Sequence, residues 1–237
     1  MNGIKMFSSA IYEQEQQASY KDQWDTHGWL ALDGVLEPTY FAEITKTVPT
    51  LQYDYRGGNG DQYETINATQ PAQGKMLRDK ITYNTKEGEF SYFHRIHGID
   101  ENTNIDNPWT NEFATDMAKQ QLNGAIFRDW VQRITGFENL KTIYPTFSFY
   151  KYDNWITSHY DPKRKVAYLF YFNDVWKKEW GGELCLQDHA GRVITTMMPL
   201  GNRLVLLDVS KPDKNKHFVS PISYLAPERY SFVGWYS

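Results

Sequence analysis

After Gly136 the chain breaks into short apolar or alternating runs: TIYPTFSFYKY (142–152), VAYLFYFN (166–173), GGELCLQD (181–188), VITTMMPL (193–200), RLVLLDV (203–209), HFVSPIS (217–223) and RYSFVGWY (229–236). Turn residues separate them, and no helical period intervenes. Strands spaced this closely predict an antiparallel sandwich or jelly roll. The first half reads differently. Residues 9–26 are polar and helix-prone, and Gly28 stops that helix. Residues 37–48 (EPTYFAEITKTV) carry apolar positions at helical spacing behind an acidic first turn. Residues 108–136 predict one or two helices, with Ala114, Met117, Leu122, Ile126 and Trp130 as the apolar stripe. Residues 29–36 (WLALDGVL) predict a short strand and turn. In 54–66 (DYRGGNGDQYETI), three glycines and an Asn-Gly pair supply turn chemistry between two strands. That segment reads as an exposed hairpin or as a lid over a site.

Composition narrows the class. The chain has 237 residues, 41% hydrophobic and 23% charged, which is ordinary for a globular protein of one large domain or two small ones. No repeat or linker divides it, so one domain is expected. Aromatic residues reach 16%, which favours a β-rich body. The net charge of −4 comes without any basic tract, so nucleic acid is excluded as the main partner. The single cysteine, Cys185, lies in an apolar run and fits a reducing compartment. Residues 1–17 lack the apolar core of a signal peptide, and no window is apolar for long enough to span a membrane. A cytoplasmic protein with no membrane partner is expected. The sequence leaves the oligomeric state open.

Three places hold candidate chemistry. In WITSHYDPKRK, His159 and Asp161 are one residue apart, and in an extended segment both side chains point to the same face. Alone, such a pair is more often a polar turn than a metal site. His217 follows 56 residues after Asp161, with strands between, as suits two strands brought side by side. Two imidazoles and a carboxylate are the facial triad of non-haem Fe(II) oxygenases, with positions left open for substrate and O2. Arg229 and Ser231 are again i and i+2 on a predicted strand, and a guanidinium and a hydroxyl on one face suit a carboxylate. Taken alone, an arginine here more often faces solvent. His94 and His97 (HRIH) fall on opposite faces of an extended segment, and either His97 or Arg95 is a candidate to line a substrate pocket. His27 and His189 read as solvated.

The order H-x-D, then H, then R-x-S is far more specific than its parts. Residues 142–237 resemble the Fe(II)/2-oxoglutarate-dependent dioxygenases, in the branch that contains the prolyl 4-hydroxylases. The likeness rests on SHYD, YFNDVW followed by WGGEL, then GNRLVLLD, HFVSPI and ERYSFVGWY. YKYDNWITSHYD and RKVAYLFYFNDVWKKEWGGELCLQD look most like the ribosomal-protein prolyl hydroxylases. The resemblance implies a double-stranded β-helix (jelly-roll) core at 142–237 and helical support with a substrate lid at 1–141. It implies His159, Asp161 and His217 as Fe(II) ligands, with Arg229 and Ser231 on the distal carboxylate of 2-oxoglutarate. Tyr171 and Tyr152 are further candidates for holding that co-substrate, and core packing is the competing reading for both. Fe(II), 2-oxoglutarate and O2 are the implied cofactors, with ascorbate as an optional supporting reductant. Because Asp161 is present where the related halogenases have a small residue, the implied reaction is hydroxylation. A prolyl residue of a protein or peptide leads as substrate, ahead of a free amino acid or small metabolite. Zn(II) hydrolysis on the same ligands leaves Arg229 unexplained. A non-catalytic jelly-roll binding module is the alternative from another class.

Overall fold

Two faces of one sheet are both buried, and this is why its central strands read as continuous apolar runs. In β10 (Arg203–Asp208), Leu204 and Leu206 enter one cluster while Val205 and Leu207 enter another. In β7 (Val166–Tyr171), Tyr168 and Phe170 join the first cluster, and Ala167 and Tyr171 join the second. The structure is a computed structural model that describes residues 6–60, 62–98, 124–211 and 215–237.

The first cluster is where helices meet the sheet. Helix α1 (Gln14–His27) contributes Trp24, and α2 (Pro38–Thr47) contributes Tyr40 and Ile44. Helix α4 (Ala125–Thr135) contributes Phe127, Trp130, Val131 and Ile134. Gly28 ends α1 in the left-handed region at φ 70°, its N–H donating to the Trp24 carbonyl, as its position after the polar segment predicts. The predicted stripe through Ile126 is corrected. Helix α4 begins only at Ala125, which leaves Ile126 56% exposed while Phe127 and Trp130 are fully buried. Ala114, Met117 and Leu122 lie outside the described residues.

The strands form a twelve-stranded antiparallel sheet among the described residues. Its path runs through β1 (Trp29–Asp33), β10, β7, β12 (Arg229–Tyr236), β5 (Thr142–Tyr150) and β4 (Ser91–Gly98). It continues through β6 (Trp155–His159), β11 (Lys216–Val219), β8 (Leu184–Gln187) and β9 (Val193–Met197). Strand β4 is the seam: Tyr92 and Phe93 pair with β6, and Arg95 to Gly98 pair with β5. The first half therefore supplies strands as well as helices. Residues 54–66 form the hairpin β2 (Asp54–Asn59) and β3 (Gln62–Ile66), and β2 is hydrogen-bonded along β4. Helix α3 (Pro71–Asn84), for which the sequence reading gives no expectation, packs Leu77 and Ile81 on Tyr55 and Phe93. A β-carbon on Gly57 would lie 2.3 Å from Ile81 Cδ1 and push that side chain aside. The fold is the expected mostly-β jelly roll buttressed by helices.

Candidate metal and co-substrate site

Register brings the two histidines together. His217 on β11 is the direct cross-strand partner of His159 at the end of β6, and their ring centroids are 4.3 Å apart. Asp161 follows two residues after β6. Its carboxylate oxygens lie 3.8 Å from His159 Nε2 and 3.6 Å from His217 Nε2. All three ligand atoms fall within 4.8 Å of one another. Each imidazole is held from behind. His159 Nδ1 meets the Thr157 carbonyl at 2.9 Å, and His217 Nδ1 meets the Asn215 carbonyl at 2.8 Å. A carbonyl oxygen only accepts, so each Nδ1 carries the proton and each Nε2 lone pair is free for an ion. Burial, then the neighbouring His217, lowers the His159 pKa to about 4, which keeps it neutral. The donor set fits a divalent metal that accepts two nitrogens and one carboxylate, Fe(II) included.

Asn215 is a residue the sequence reading missed. Its side-chain amide donates to the carbonyls of Gly28 and Asp208, while its own carbonyl receives His217. The end of α1 thus fixes a metal-ligand candidate nearly 190 residues away. No local motif announces this, because the partners are backbone carbonyls.

On the inner face of β12, Arg229 is 1% exposed. Its Nε donates to the Gly182 carbonyl at 2.8 Å, and one Nη lies 3.4 Å from the Tyr171 hydroxyl. The rings of Tyr150 and Tyr171 flank the guanidinium at 5.2 and 5.0 Å. No acidic side chain pairs with it among the described residues. Gly181 and Gly182 make this approach possible: both have positive φ, and a β-carbon on Gly182 would lie 3.2 Å from Arg229 Cδ. Two residues along from the arginine, the buried hydroxyl of Ser231 has no hydrogen-bond partner among the described residues, and neither has the indole N–H of Trp235 at the far end of the strand. A buried cation without an acid, next to an orphaned hydroxyl, is what an anionic ligand completes.

These groups open into one cavity of about 390 Å³, lined by the triad, Arg229, Ser231 and Trp235. Tyr171 stands behind Arg229 and is fully buried. Tyr152 is corrected. It sits in the turn after β5, 60% exposed and beside Lys151, away from the cavity. Tyr150, two residues earlier, lines the cavity instead, and its hydroxyl lies 3.1 Å from His94 Nδ1. The candidates Arg95 and His97 are corrected as well. Arg95 is engaged by Tyr55 and Phe149, and His97 by the Gln52 carbonyl, on the far face of β4. His94 lines the cavity. Burial, then the charges of Arg56 and Arg229, lowers its pKa to about 3.

Residues 145–237 match the family model described as the 2OG-Fe(II) oxygenase superfamily. The chain is 26% identical over 126 residues to mouse prolyl 3-hydroxylase OGFOD1, and 30% identical over 117 residues to the Xenopus laevis protein of that name. Those stretches cover 50% and 46% of this chain, but only 23% and 22% of the relatives. The chain therefore spans under a quarter of the length of the curated relatives it matches. Among solved structures, a Pseudomonas putida prolyl-4-hydroxylase superimposes with a TM-score of 0.57 at 19% identity, covering 93% of this chain and 97% of that one. A Trichoplax adhaerens prolyl hydroxylase, solved with a fragment of the hypoxia inducible factor oxygen degradation domain, gives 0.60 at 18% identity, covering 97% and 95%. These two likenesses are of fold.

Proposed function

We propose, from the premise that residues 145–237 belong to the 2OG-Fe(II) oxygenase superfamily, that this chain hydroxylates an unactivated C–H bond of a prolyl residue in a protein or peptide. The observation that carries the reading is the buried, acid-free Arg229 opening into the same cavity as a His/Asp/His set whose Nε2 atoms are free. His159, Asp161 and His217 would hold Fe(II). Arg229 would pair with the distal carboxylate of 2-oxoglutarate, with Ser231 donating beside it and Tyr171 steadying the guanidinium from behind. Bound there, iron and co-substrate supply, with O2, the oxidising power to insert one oxygen into a C–H bond while 2-oxoglutarate becomes succinate and CO2. The chain's own residues do the rest. Backbone carbonyls fix the imidazole tautomers, and apolar walls such as Leu184, Leu169 and Val219 exclude water.

The prolyl substrate is taken from the curated relatives and the solved structures, whose names carry C3 and C4 as the ring position. No helix among the described residues is long and apolar enough to cross a membrane. The buried free thiol of Cys185 supports a reducing, cytoplasmic setting.

Anaerobic titration with Fe(II) and 2-oxoglutarate tests the reading. The expected outcome is a weak visible charge-transfer band that needs both components and fades in Arg229→Ala. Prolyl peptides incubated with the loaded protein in air should then gain one oxygen atom. Iron binding without the band would overturn the co-substrate assignment.

A further inference from the structure

The cavity carries more positive charge than iron and co-substrate consume. Its charged protein side chains among the described residues are Asp161, Arg229, Arg56 and Arg164. If the proposed function holds, Asp161 and the two carboxylates of 2-oxoglutarate balance Fe(II) and Arg229. The charges of Arg56 and Arg164 are then left over. Neither makes an ion pair with an acidic side chain among the described residues. The Arg56 guanidinium rests on the Tyr63 ring at 4.1 Å, and Arg164 makes only a long contact, 3.4 Å, to the adjacent Lys163 carbonyl.

Position matters as much as charge. Arg56 on β2 is the register partner of His94 on β4. The His94 ring stacks on Tyr150 at 4.9 Å, and Tyr150 in turn flanks Arg229. A row of side chains thus runs from Arg229 through Tyr150 and His94 to Arg56, with a guanidinium at each end and neutral groups between. Arg164 follows three residues after Asp161 and faces the same cavity. Both spare cations therefore border the space next to the metal ligands, where a reacting C–H must lie.

We propose that Arg56 and Arg164 select a substrate that carries a carboxylate close to the hydroxylated ring. The carboxylate has two sources. It is the α-carboxylate of a free amino acid or chain end, or the side chain of an acidic residue next to the proline. This rests on the hydroxylase reading and names the substrate class for the same site.

The test uses the protein loaded anaerobically with Fe(II) and 2-oxoglutarate, with ligand binding read by calorimetry. The ligands are short peptides with proline or alanine at the centre. They are matched in pairs, Asp against Asn beside the central residue, and free acid against amide at the C-terminus. Free proline and prolinamide complete the set. The expected result is that a carboxylate tightens binding by about tenfold or more. Arg56→Gln and Arg164→Gln should each shrink that difference and leave 2-oxoglutarate binding intact. The Asp/Asn pairs report an acidic neighbour, and the acid/amide pairs report an α-carboxylate. Equal binding of charged and neutral members overturns the proposal, as does an equal loss of both in the variants. A carboxylate preference seen alike in the alanine and proline series upholds the role of the arginines and removes the prolyl ring from the function.

Discussion

Strand β12 presents two surfaces of opposite character. Tyr230, Phe232 and Tyr236 point into the helix layer, where the fully buried Phe232 packs against Phe147 and Tyr168. Arg229, Ser231 and Trp235 point the other way, into the cavity. Among the described residues, that inner face leaves a buried cation without an acid and two buried donors without acceptors. An unpaired buried donor costs about 1–3 kcal/mol and a charge costs more, so a ligand that brings an anionic group to Arg229 and Ser231 recovers that cost. The outer face is built for stability and the inner one for binding, and substitutions on the two should separate these properties.

The largest effect belongs to the outer face. Phe127 is fully buried among Phe7, Trp130, Tyr168 and Phe170. Phe127→Ala should cost about 3–5 kcal/mol in denaturant unfolding, while the protein that remains folded binds Fe(II) and 2-oxoglutarate as before. A matching loss of affinity in the folded fraction would erase the division between faces. On the inner face, Arg229→Met should weaken 2-oxoglutarate binding by roughly thirtyfold or more, the range for truncating one partner of a buried charge pair. The same change should leave the ligand-free protein as stable as before or more so, because it removes an unpaired buried charge. Thermal melts with and without 2-oxoglutarate read both halves at once. The next effect acts on the metal. Asn215 has φ 53°, which glycine adopts without strain, so Asn215→Gly removes the amide without distorting the backbone. With the clamp on His217 loosened, iron affinity should fall by about 10–100-fold, as for other residues that hold a ligand in place. Competition against a coloured chelator measures it.

The two faces were not equally legible in the sequence. His159, Asp161, His217, Arg229 and Ser231 follow from period-two logic, because strands of this kind keep parity and the ligands sit on or just beyond them. Tyr152 lies two residues past the end of β5, just as Asp161 lies two past the end of β6, but the turn there carries Tyr152 out to solvent. Beyond a strand end parity no longer decides the face, and the local turn does. The choice of Arg95 and His97 over His94 fails because nothing in FSYFHRIHGI marks which face looks inward. That depends on β4 pairing with both β5 and β6, a tertiary fact. Helix α3 carries little periodic signal, because its buried positions, Gly74, Leu77 and Ile81, are few and its other side is polar. Asn215 was invisible because its role is to join backbone atoms far apart in sequence.

The last effect is one of pH and concerns His94, which sits between the arginines of the inner face. Its pKa is lowered to about 3 by burial and by the charges of Arg56 and Arg229. A histidine in the unfolded chain titrates near 6.5. Between those values the unfolded state binds the extra proton, so stability rises with pH across this window. The contribution of a neutral His94 is complete above about pH 6.5 and is lost as the pH falls towards 3. His94→Gln has no proton to gain and keeps polar atoms for the Tyr150 hydroxyl. Its unfolding free energy should therefore fall less steeply on acidification, by an amount on the order of 3 kcal/mol at pH 4 relative to the parent. Metal-free protein, unfolded in urea at pH 7, 5 and 4, gives the comparison. Parallel profiles for the two proteins would mean that His94 protonates freely in the folded state. The row from Arg229 to Arg56 would then be open to water, and the cavity would lack the low-dielectric wall on which charge selection at its outer end depends.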